Sequence, residues 1–219
     1  MFIGHAALAF ASKRLAPETS LGVLVAATFG LDLLWPLFCL MGLEGFRIDP
    51  GHTAFTPIAF DHYPWSHSLL MALVWSLLAF LVVRRTTGRA RDAWVVAALV
   101  ASHWVLDAVT HRPDLPLWPG RSPMIGLGLW NSVAGTYLLE GVLFAAGAAA
   151  YLSGTRPLNR RGTVVLWILI LFLLVAWIPS PFSPPPPSPL AVTLTALGAF
   201  VIPLWAAWAD RHRSRPTGV

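Results

Sequence analysis

The sequence predicts an all-α protein, a polytopic membrane helix bundle with about six transmembrane helices and a short N-terminal helix. Only 11% of the 219 residues are charged, whereas an ordinary globular chain has roughly 25%. Hydrophobic residues make up 56% of the chain and form stretches near or above the roughly 17–25 residues that a spanning helix needs. This composition excludes a disordered chain and a typical cytosolic enzyme, and a single cysteine, Cys39, excludes an internal disulfide.

The elements follow one another as apolar stretches separated by polar loops. Residues 2–14 predict a retained short helix, because Lys13 and Arg14 follow the apolar part, whereas the positive charge of a cleaved signal peptide comes first. The six predicted spans cover residues 20–43, 67–83, 93–111, 125–152, 163–179 and 189–209. Ser66 is the expected N-cap of the second span. The proline-rich stretch at 179–189 predicts a stiff connector between the last two spans.

Positive charge alternates between the loops. Most basic residues lie before the first span, in the loop between the second and third spans, in the loop between the fourth and fifth spans, or after the sixth span. The other loops hold only Arg47, Arg112 and Arg121. The positive-inside rule therefore predicts a multi-pass protein of a bacterial-type plasma (inner) membrane, with the C-terminus in the cytoplasm. The net charge of +5 then orients the chain among membrane lipids and does not indicate nucleic-acid binding. We expect a single membrane domain over 1–219, in which 1–152 carries the polar residues and 153–219 adds two apolar spans and a basic tail.

Ionisable side chains inside spans are costly in a membrane and mark functional sites. Asp32 lies in the first span, His67 opens the second, Asp107 lies in the third and Glu140 in the fourth. His67, Asp107 and Glu140 are each roughly 16 or 17 residues from the nearest basic loop, or roughly 24–26 Å along a helix. We therefore expect them at one level near the outer interface, with Asp32 at a comparable or slightly deeper level.

Imidazole and carboxylate groups at one level predict a divalent metal site, and zinc is the ion that best matches these ligand types. Three of the residues lie in the third span at four-residue spacing and therefore share one face of its helix, namely His103, Asp107 and His111. The expected metal-site residues are His67, Asp107, Asp32, His62, His103, His5 and His111, and the expected catalytic residues are Glu140 and Asp107. His62 is expected to fold over the site from a loop. Other interpretations stay open for His103 as a packing residue, for His111 as an interfacial one, and for Glu140 as the partner of an arginine or histidine.

The order of these residues resembles the YdjM-like family of predicted inner-membrane metal-dependent hydrolases. The resemblance covers roughly residues 1–120, and the matching residues are His5, Asp32, His62 with His67-Ser68, and Ser102-His103 with Asp107, followed by Pro116-Leu117-Trp118-Pro119. It implies a multi-pass membrane protein that binds a divalent metal ion and hydrolyses its substrate.

The chain departs from the family pattern in two places. The family has Pro-Asp-x-Asp where this chain has Gly30-Leu31-Asp32-Leu33-Leu34, so one carboxylate is missing and a two-metal site is disfavoured. The family also has an arginine where Tyr63 follows His62. Arg112 and Arg121 are the remaining candidates for holding a substrate phosphate on that side of the membrane.

The sequence thus favours a membrane-embedded metal-dependent hydrolase with an outward-facing His/Asp site, acting on a lipid or an amphiphilic ester. His67 and Asp107, with Asp32 or His62, would hold the ion, and Glu140 or another free carboxylate would be the general base. The alternatives are a non-enzymatic carrier of metal ions or protons, and a structural subunit with a degenerate site. The clustering of polar residues at one level, rather than in a column across the membrane, argues against a carrier.

Overall fold

The computed structural model describes residues 1–214 and consists mainly of α-helices. Arg215, expected in the basic tail, lies outside the described residues. The helices are α1 (Ile3–Ser12), α2 (Leu21–Thr28), α3 (Gly30–Leu40), α4 (Pro64–His67), α5 (Leu69–Thr87), α6 (Ala90–Thr110), α7 (Val133–Gly154), α8 (Arg160–Trp177), α9 (Pro189–Leu197) and α10 (Val201–Arg211). Short antiparallel pairs join β1 (Gly45–Ile48) to β2 (Ile58–His62), β3 (Leu115–Pro116) to β4 (Met124–Ile125), and β5 (Arg156–Pro157) to β6 (Arg213–Ser214).

Five helical segments within residues 1–214 are long and apolar enough to cross a membrane, and the bent pair α2–α3 makes a sixth if it counts as one span. The five segments are Leu69–Thr87, Ala90–Thr110, Val133–Gly154, Arg160–Phe182 and Pro189–Arg211. Helix α1 has 10 residues and is about 15 Å long, too short to span. The predicted all-α membrane bundle with about six spans and a short N-terminal helix is therefore confirmed.

The first span is broken, because α2 and α3 meet at Phe29 with a bend of 57°. The hydroxyl of Ser20 caps α2 by accepting a hydrogen bond from the amide of Val23. Helix α3 then starts afresh and has Asp32 in its first turn. The bend thus directs a carboxylate and the end of α2 towards the same region of the bundle.

Helices α1 and α6 form the centre of the bundle. Half of α6 is buried, compared with 17% of α5, whose apolar side chains mostly face outwards as expected for contact with lipid. Helix α1 packs so closely along α7 that a Cβ atom on Gly147 would lie 2.3 Å from the carbonyl oxygen of Ala7. Glycine is therefore required at this position for α1, which carries His5, to lie where it does.

The loops gather at two ends of the bundle. At the hairpin end, defined by the β1–β2 hairpin and residues 112–132 and 179–188, the amide of Phe55 donates to the carbonyl of Trp130 over 3.0 Å. At the basic end, defined by residues 13–20, 84–91, 155–161 and 211–214, Lys13 Nζ pairs with Asp210 Oδ2 at 2.6 Å. The alternation of basic loops along the sequence therefore corresponds to a separation in space.

Two predicted boundaries were wrong. The fourth span begins at Val133 instead of residue 125, because residues 124–132 fold back over the end of α6, where the amide of Gly128 donates to the carbonyl of His111 over 2.6 Å. Ser66 does not cap the second span. It lies in the separate turn α4, and Ser68 caps α5 by accepting from the amide of Met71 over 3.3 Å.

Candidate metal centre

Five of the predicted site residues converge at the hairpin end of the bundle. They come from four helices, His5 from α1, Asp32 from α3, His67 from α4, and His103 and Asp107 from α6. All are buried except Asp32, whose side chain is 36% exposed. The chain therefore brings together imidazoles and carboxylates that are far apart in sequence, in surroundings that are otherwise apolar.

The contacts centre on the Nε2 atoms of two histidines. His103 Nε2 lies 3.0 Å from Asp107 Oδ2 and 3.7 Å from Asp32 Oδ1. His67 Nε2 lies 3.5 Å from Asp32 Oδ1 and 3.8 Å from Asp107 Oδ2. Each Nε2 atom thus faces both carboxylates, and the protonation state of the two rings decides what this arrangement can bind.

The opposite nitrogen of His103 fixes its tautomer. His103 Nδ1 lies 2.6 Å from the carbonyl oxygen of Thr28, at the end of α2. A carbonyl oxygen only accepts hydrogen bonds, so Nδ1 carries the proton and, in the neutral ring, Nε2 carries a lone pair. His103 Nε2 is buried and has no hydrogen-bond partner. A buried lone pair that faces two carboxylates is an unfavourable arrangement unless a cation lies between the three groups.

The tautomer of His67 is fixed through a relay of two residues. Glu44 Oε2 accepts the hydroxyl hydrogen of Ser66 over 2.6 Å. Ser66 Oγ lies 2.7 Å from His67 Nδ1, and since its only hydrogen goes to Glu44, it must accept the proton of Nδ1. His67 Nε2 therefore also presents a lone pair to the carboxylates. Such outer partners orient metal-binding histidines in many proteins.

Glu44 is itself held by the backbone of α4. Its Oε1 atom accepts from the amide of Trp65 over 2.8 Å and from the amide of Ser66 over 2.7 Å. These amides belong to the first turn of a helix, where free N–H groups favour a carboxylate. The residue is 6% exposed, so the relay is screened from water.

His5 has a different role from the two other histidines. Its Nε2 atom lies 3.1 Å from Asp107 Oδ1 and, against an ionised carboxylate, acts as a donor. The His5 ring stacks on the His103 ring with centroids 3.8 Å apart. The amino group of Met1 also contacts Asp107 Oδ1, at 2.5 Å. These contacts fix one edge of the Asp107 carboxylate and leave its Oδ2 atom facing the other histidines.

Two overlapping groups have ligand atoms close enough together to hold a metal ion, Asp32–His67–His103 and His5–His103–Asp107. In each group the ligand atoms lie within 4.8 Å of one another. The residues fit a divalent ion, because the orphaned His103 Nε2 atom needs a positive partner and two imidazoles with a carboxylate are common zinc ligands. The first group fits better, since His5 Nε2 already donates to Asp107.

The other predicted residues lie apart from this cluster. His62 ends strand β2 and is exposed, as is its neighbour Asp61, so this end of the hairpin lies on the surface and not over the cluster. Glu140 is buried, and its Oε2 atom accepts from the amides of Phe2 and Gly4 over 2.9 and 3.2 Å. Glu140 thus holds the start of α1, instead of facing the two histidines.

His111 lies one turn beyond Asp107 and joins a separate hydrogen-bonded group. Its Nδ1 atom lies 3.0 Å from Asp114 Oδ1, which also accepts from the hydroxyl of Tyr63 over 3.0 Å. Burial lowers the pKa of His111, although Asp114 opposes this shift. Burial, followed by the charge of Asp114, raises the pKa of Tyr63, so the hydroxyl keeps its proton. This group forms part of the wall around the cluster.

Sequence reasoning missed Glu44, Ser66 as a relay, and the carbonyl of Thr28. Glu44 lies in a polar loop, where an acidic residue is unremarkable. The adjacency of Ser66 to His67 is the one signal present in the sequence, and the same adjacency fits a helix cap. A backbone carbonyl that becomes an acceptor at a bend leaves no signal in side-chain chemistry.

A cavity of about 630 Å³ reaches the cluster from the hairpin end. Asp32, His67 and Asp107 lie in its wall. Its aromatic lining consists of Phe2, Trp35, Phe55, Phe60, Trp130 and Trp177. The volume is in the range of small-molecule sites, which reach roughly 300–1,000 Å³. The candidate centre is therefore accessible to a ligand.

An apolar helix bundle with a buried His/Asp cluster and a cavity leading to it defines a multi-pass membrane protein with a candidate metal centre between its helices. The chain belongs to the YdjM inner membrane protein family, whose model matches residues 2–183. The match includes Glu44 and the whole cluster, and it extends beyond the first 120 residues into α7 and α8. No curated protein and no solved structure matches the chain.

Proposed function

We propose that the protein is a membrane-embedded, metal-dependent hydrolase of the inner membrane. The observation that carries this proposal is the pair of histidines whose Nε2 lone pairs face two carboxylates at the bottom of an open cavity. A structural polar cluster would be expected to pair donors with acceptors. With neutral rings, the Nε2 acceptors of His67 and His103 face Asp32 Oδ1 and Asp107 Oδ2, which are acceptors too, and a bound cation would stabilise this arrangement.

We assign Asp32, His67 and His103 as the ligands of a zinc ion. Three protein ligands would leave room for a water ligand, as in catalytic rather than structural zinc sites. A zinc ion bound there would act as a Lewis acid and lower the pKa of its water ligand towards neutrality. The chain's part is to present two neutral imidazoles in a fixed tautomer and to keep the surroundings apolar.

Asp107 is the residue we assign as general base. Its Oδ2 atom lies 3.8 and 3.0 Å from the Nε2 atoms of His67 and His103, and the residue lines the cavity through which an attacking water would arrive. Its Oδ1 atom is held by His5, so the carboxylate is oriented before the substrate arrives. Glu140, the other carboxylate expected to act as base, supports α1 instead.

We further propose that the cavity opens on the side away from the cytoplasm. The basic end of the bundle carries most of the arginines, which favours its location in the cytoplasm. The hairpin end, with the cavity, then lies at the outer interface. Substrate would reach the site from the outer leaflet or from the space outside the membrane.

Metal analysis of the purified protein tests this function. We expect a stoichiometric zinc ion in the wild-type chain, and its loss in His67→Ala and Asp32→Asn without loss of the folded protein. His62→Ala is the control, because His62 is exposed and outside the cluster, and it should keep the ion. A wild-type protein that binds no divalent ion after zinc reconstitution would contradict the proposal. Zinc flux into proteoliposomes without hydrolysis would assign the site to a carrier.

A further inference from the structure

The cavity that leads to the candidate metal centre has an aromatic wall and a polar floor. Trp35, Phe60, Trp130 and Trp177 line it between the cluster and the proline-rich loop, and Ser183 and Pro184 form part of its rim. Aromatic side chains present large apolar surfaces. A ligand that enters this cavity must therefore place hydrocarbon against the wall and its reacting group against Asp32, His67 and Asp107.

Lysine and arginine side chains are absent from the cavity wall described within residues 1–214. Arg112, which the sequence suggested as a phosphate ligand, is exposed and donates to the carbonyl of His52 over 2.9 Å. Arg121 is exposed in a surface turn. Arg47 pairs with Asp61 at 2.5 Å. The basic residues of the hairpin end therefore point elsewhere, and the amino group of Met1 is already paired with Asp107.

The charge of the loaded site is balanced by the chain itself. Asp32, Asp107 and the neighbouring Glu140 contribute three negative charges when ionised, which match the two positive charges of a zinc ion and the one of the Met1 amino group. A phosphate group would bring further negative charge into an apolar cavity without a side-chain cation to pair with, and such burial is costly. An uncharged carbonyl group carries no such cost, and a bound zinc ion would still polarise it.

We infer that the substrate is an uncharged carboxylic ester of a long hydrocarbon chain, and that phosphate esters are disfavoured. This inference rests on the proposed hydrolase function and adds the class of bond. The oxygen of water forms a bond to the acyl carbon, the bond from that carbon to the alcohol oxygen breaks, and Asp107 transfers a proton from the water to the leaving alkoxide. The products are a carboxylic acid, which ionises in water, and an alcohol.

The test compares binding and cleavage in the zinc-loaded full-length protein in detergent. Decan-2-one and decyl phosphate serve as binding probes of equal chain length, followed by the fluorescence of the cavity tryptophans. We expect the ketone to bind at least about ten-fold more tightly, a difference of about 1.4 kcal/mol. Para-nitrophenyl decanoate and para-nitrophenyl decyl phosphate then share a leaving group in the hydrolysis assay, and only the carboxylic ester should be cleaved.

Two variants of neighbouring residues on α8 localise the effect to the cavity. Ala176 lines the cavity and Val175 does not, although both are exposed. Ala176→Trp should fill the cavity and abolish ketone binding while zinc stays bound, and Val175→Trp should leave both unchanged. Equal loss of ketone binding in both variants would overturn the inference.

The outcomes separate this inference from the proposed function. Tighter binding or faster cleavage of the phosphate probe in zinc-loaded protein overturns the inference and leaves the metal-dependent hydrolase standing. Cleavage of neither ester by zinc-loaded protein contradicts the hydrolase, while the ratio of the two binding constants still decides which ligand class the cavity accepts.

Discussion

The substitution Glu44→Gln tests the tautomer argument on which the metal centre depends. The amide oxygen of glutamine can keep both backbone hydrogen bonds, from Trp65 and Ser66, because these bonds need only an acceptor. The amide nitrogen then takes the place of Glu44 Oε2 and donates to Ser66 Oγ. The serine hydroxyl is left to donate to His67 Nδ1, and the proton of that ring moves to Nε2. The polarity of the relay is reversed while its shape is retained.

The expected effect is a loss of zinc affinity with little loss of fold. Only one of the three assigned ligands loses its lone pair, and the substitution of an outer hydrogen-bond partner usually lowers metal affinity about 10–100-fold. This corresponds to about 1.4–2.8 kcal/mol. The assay is competition for zinc with a fluorescent chelator, combined with thermal unfolding of the metal-free protein, for which we expect an unchanged midpoint.

Asp61→Asn is the matched control, since it removes one negative charge at the same end of the bundle from an exposed residue. It should bind zinc as the wild-type protein does. Ser66→Ala breaks the relay without reversing it, so its loss of affinity should be smaller than that of Glu44→Gln. Wild-type zinc affinity in Glu44→Gln would refute the tautomer argument. A large fall in the midpoint of the metal-free variant would assign Glu44 a purely structural role.

Three further predictions concern stability. Gly147→Ala should lower the free energy of unfolding by about 1–3 kcal/mol, because its Cβ would clash with α1. Gly141→Ala, on the same helix, is the control, because its Cβ meets nothing closer than 3.8 Å. Its midpoint of thermal unfolding should not fall. Asp210→Asn breaks a pair in which both side chains are about 10% exposed and should cost about 2–4 kcal/mol, compared with less than about 1 kcal/mol for the exposed Asp49→Asn. Zinc at 100 times its Kd should stabilise the wild-type protein by about 2.7 kcal/mol and leave His67→Ala unchanged, as followed by the unfolding midpoint.

The sequence was sufficient to predict the spans and the level of the polar residues, because hydropathy and distance from a basic loop both depend on chain position alone. His67 and Asp107 were expected at one depth, and the structure brings them within 3.8 Å of each other. Glu140 was expected at the same depth, and it lies near the start of α1. Depth gives no direction around a helix axis, so the sequence could not show that Glu140 faces α1.

The structure differs from the expected arrangement mainly where the chain leaves regular helices. The hairpin that turns His62 outwards is made of two short strands that hydropathy does not reveal. The relay from Glu44 to His67 joins a loop to a helical turn 22 residues later. Such contacts depend on tertiary packing and cannot be derived from local patterns.

The break between α2 and α3 changes which residues of the cluster would identify an active protein. Neither half crosses a bilayer alone, and a broken span is tolerated where neighbouring groups satisfy its backbone. His103 does this by donating to the carbonyl of Thr28, so it would serve the membrane span as well as the proposed ion. A relative that has lost the chemistry is therefore expected to keep a donor at the position of His103. Within residues 1–214, neither the His67 nor the Asp32 side chain donates to the backbone at the break, so their presence or loss should distinguish relatives that keep the proposed activity from those that do not.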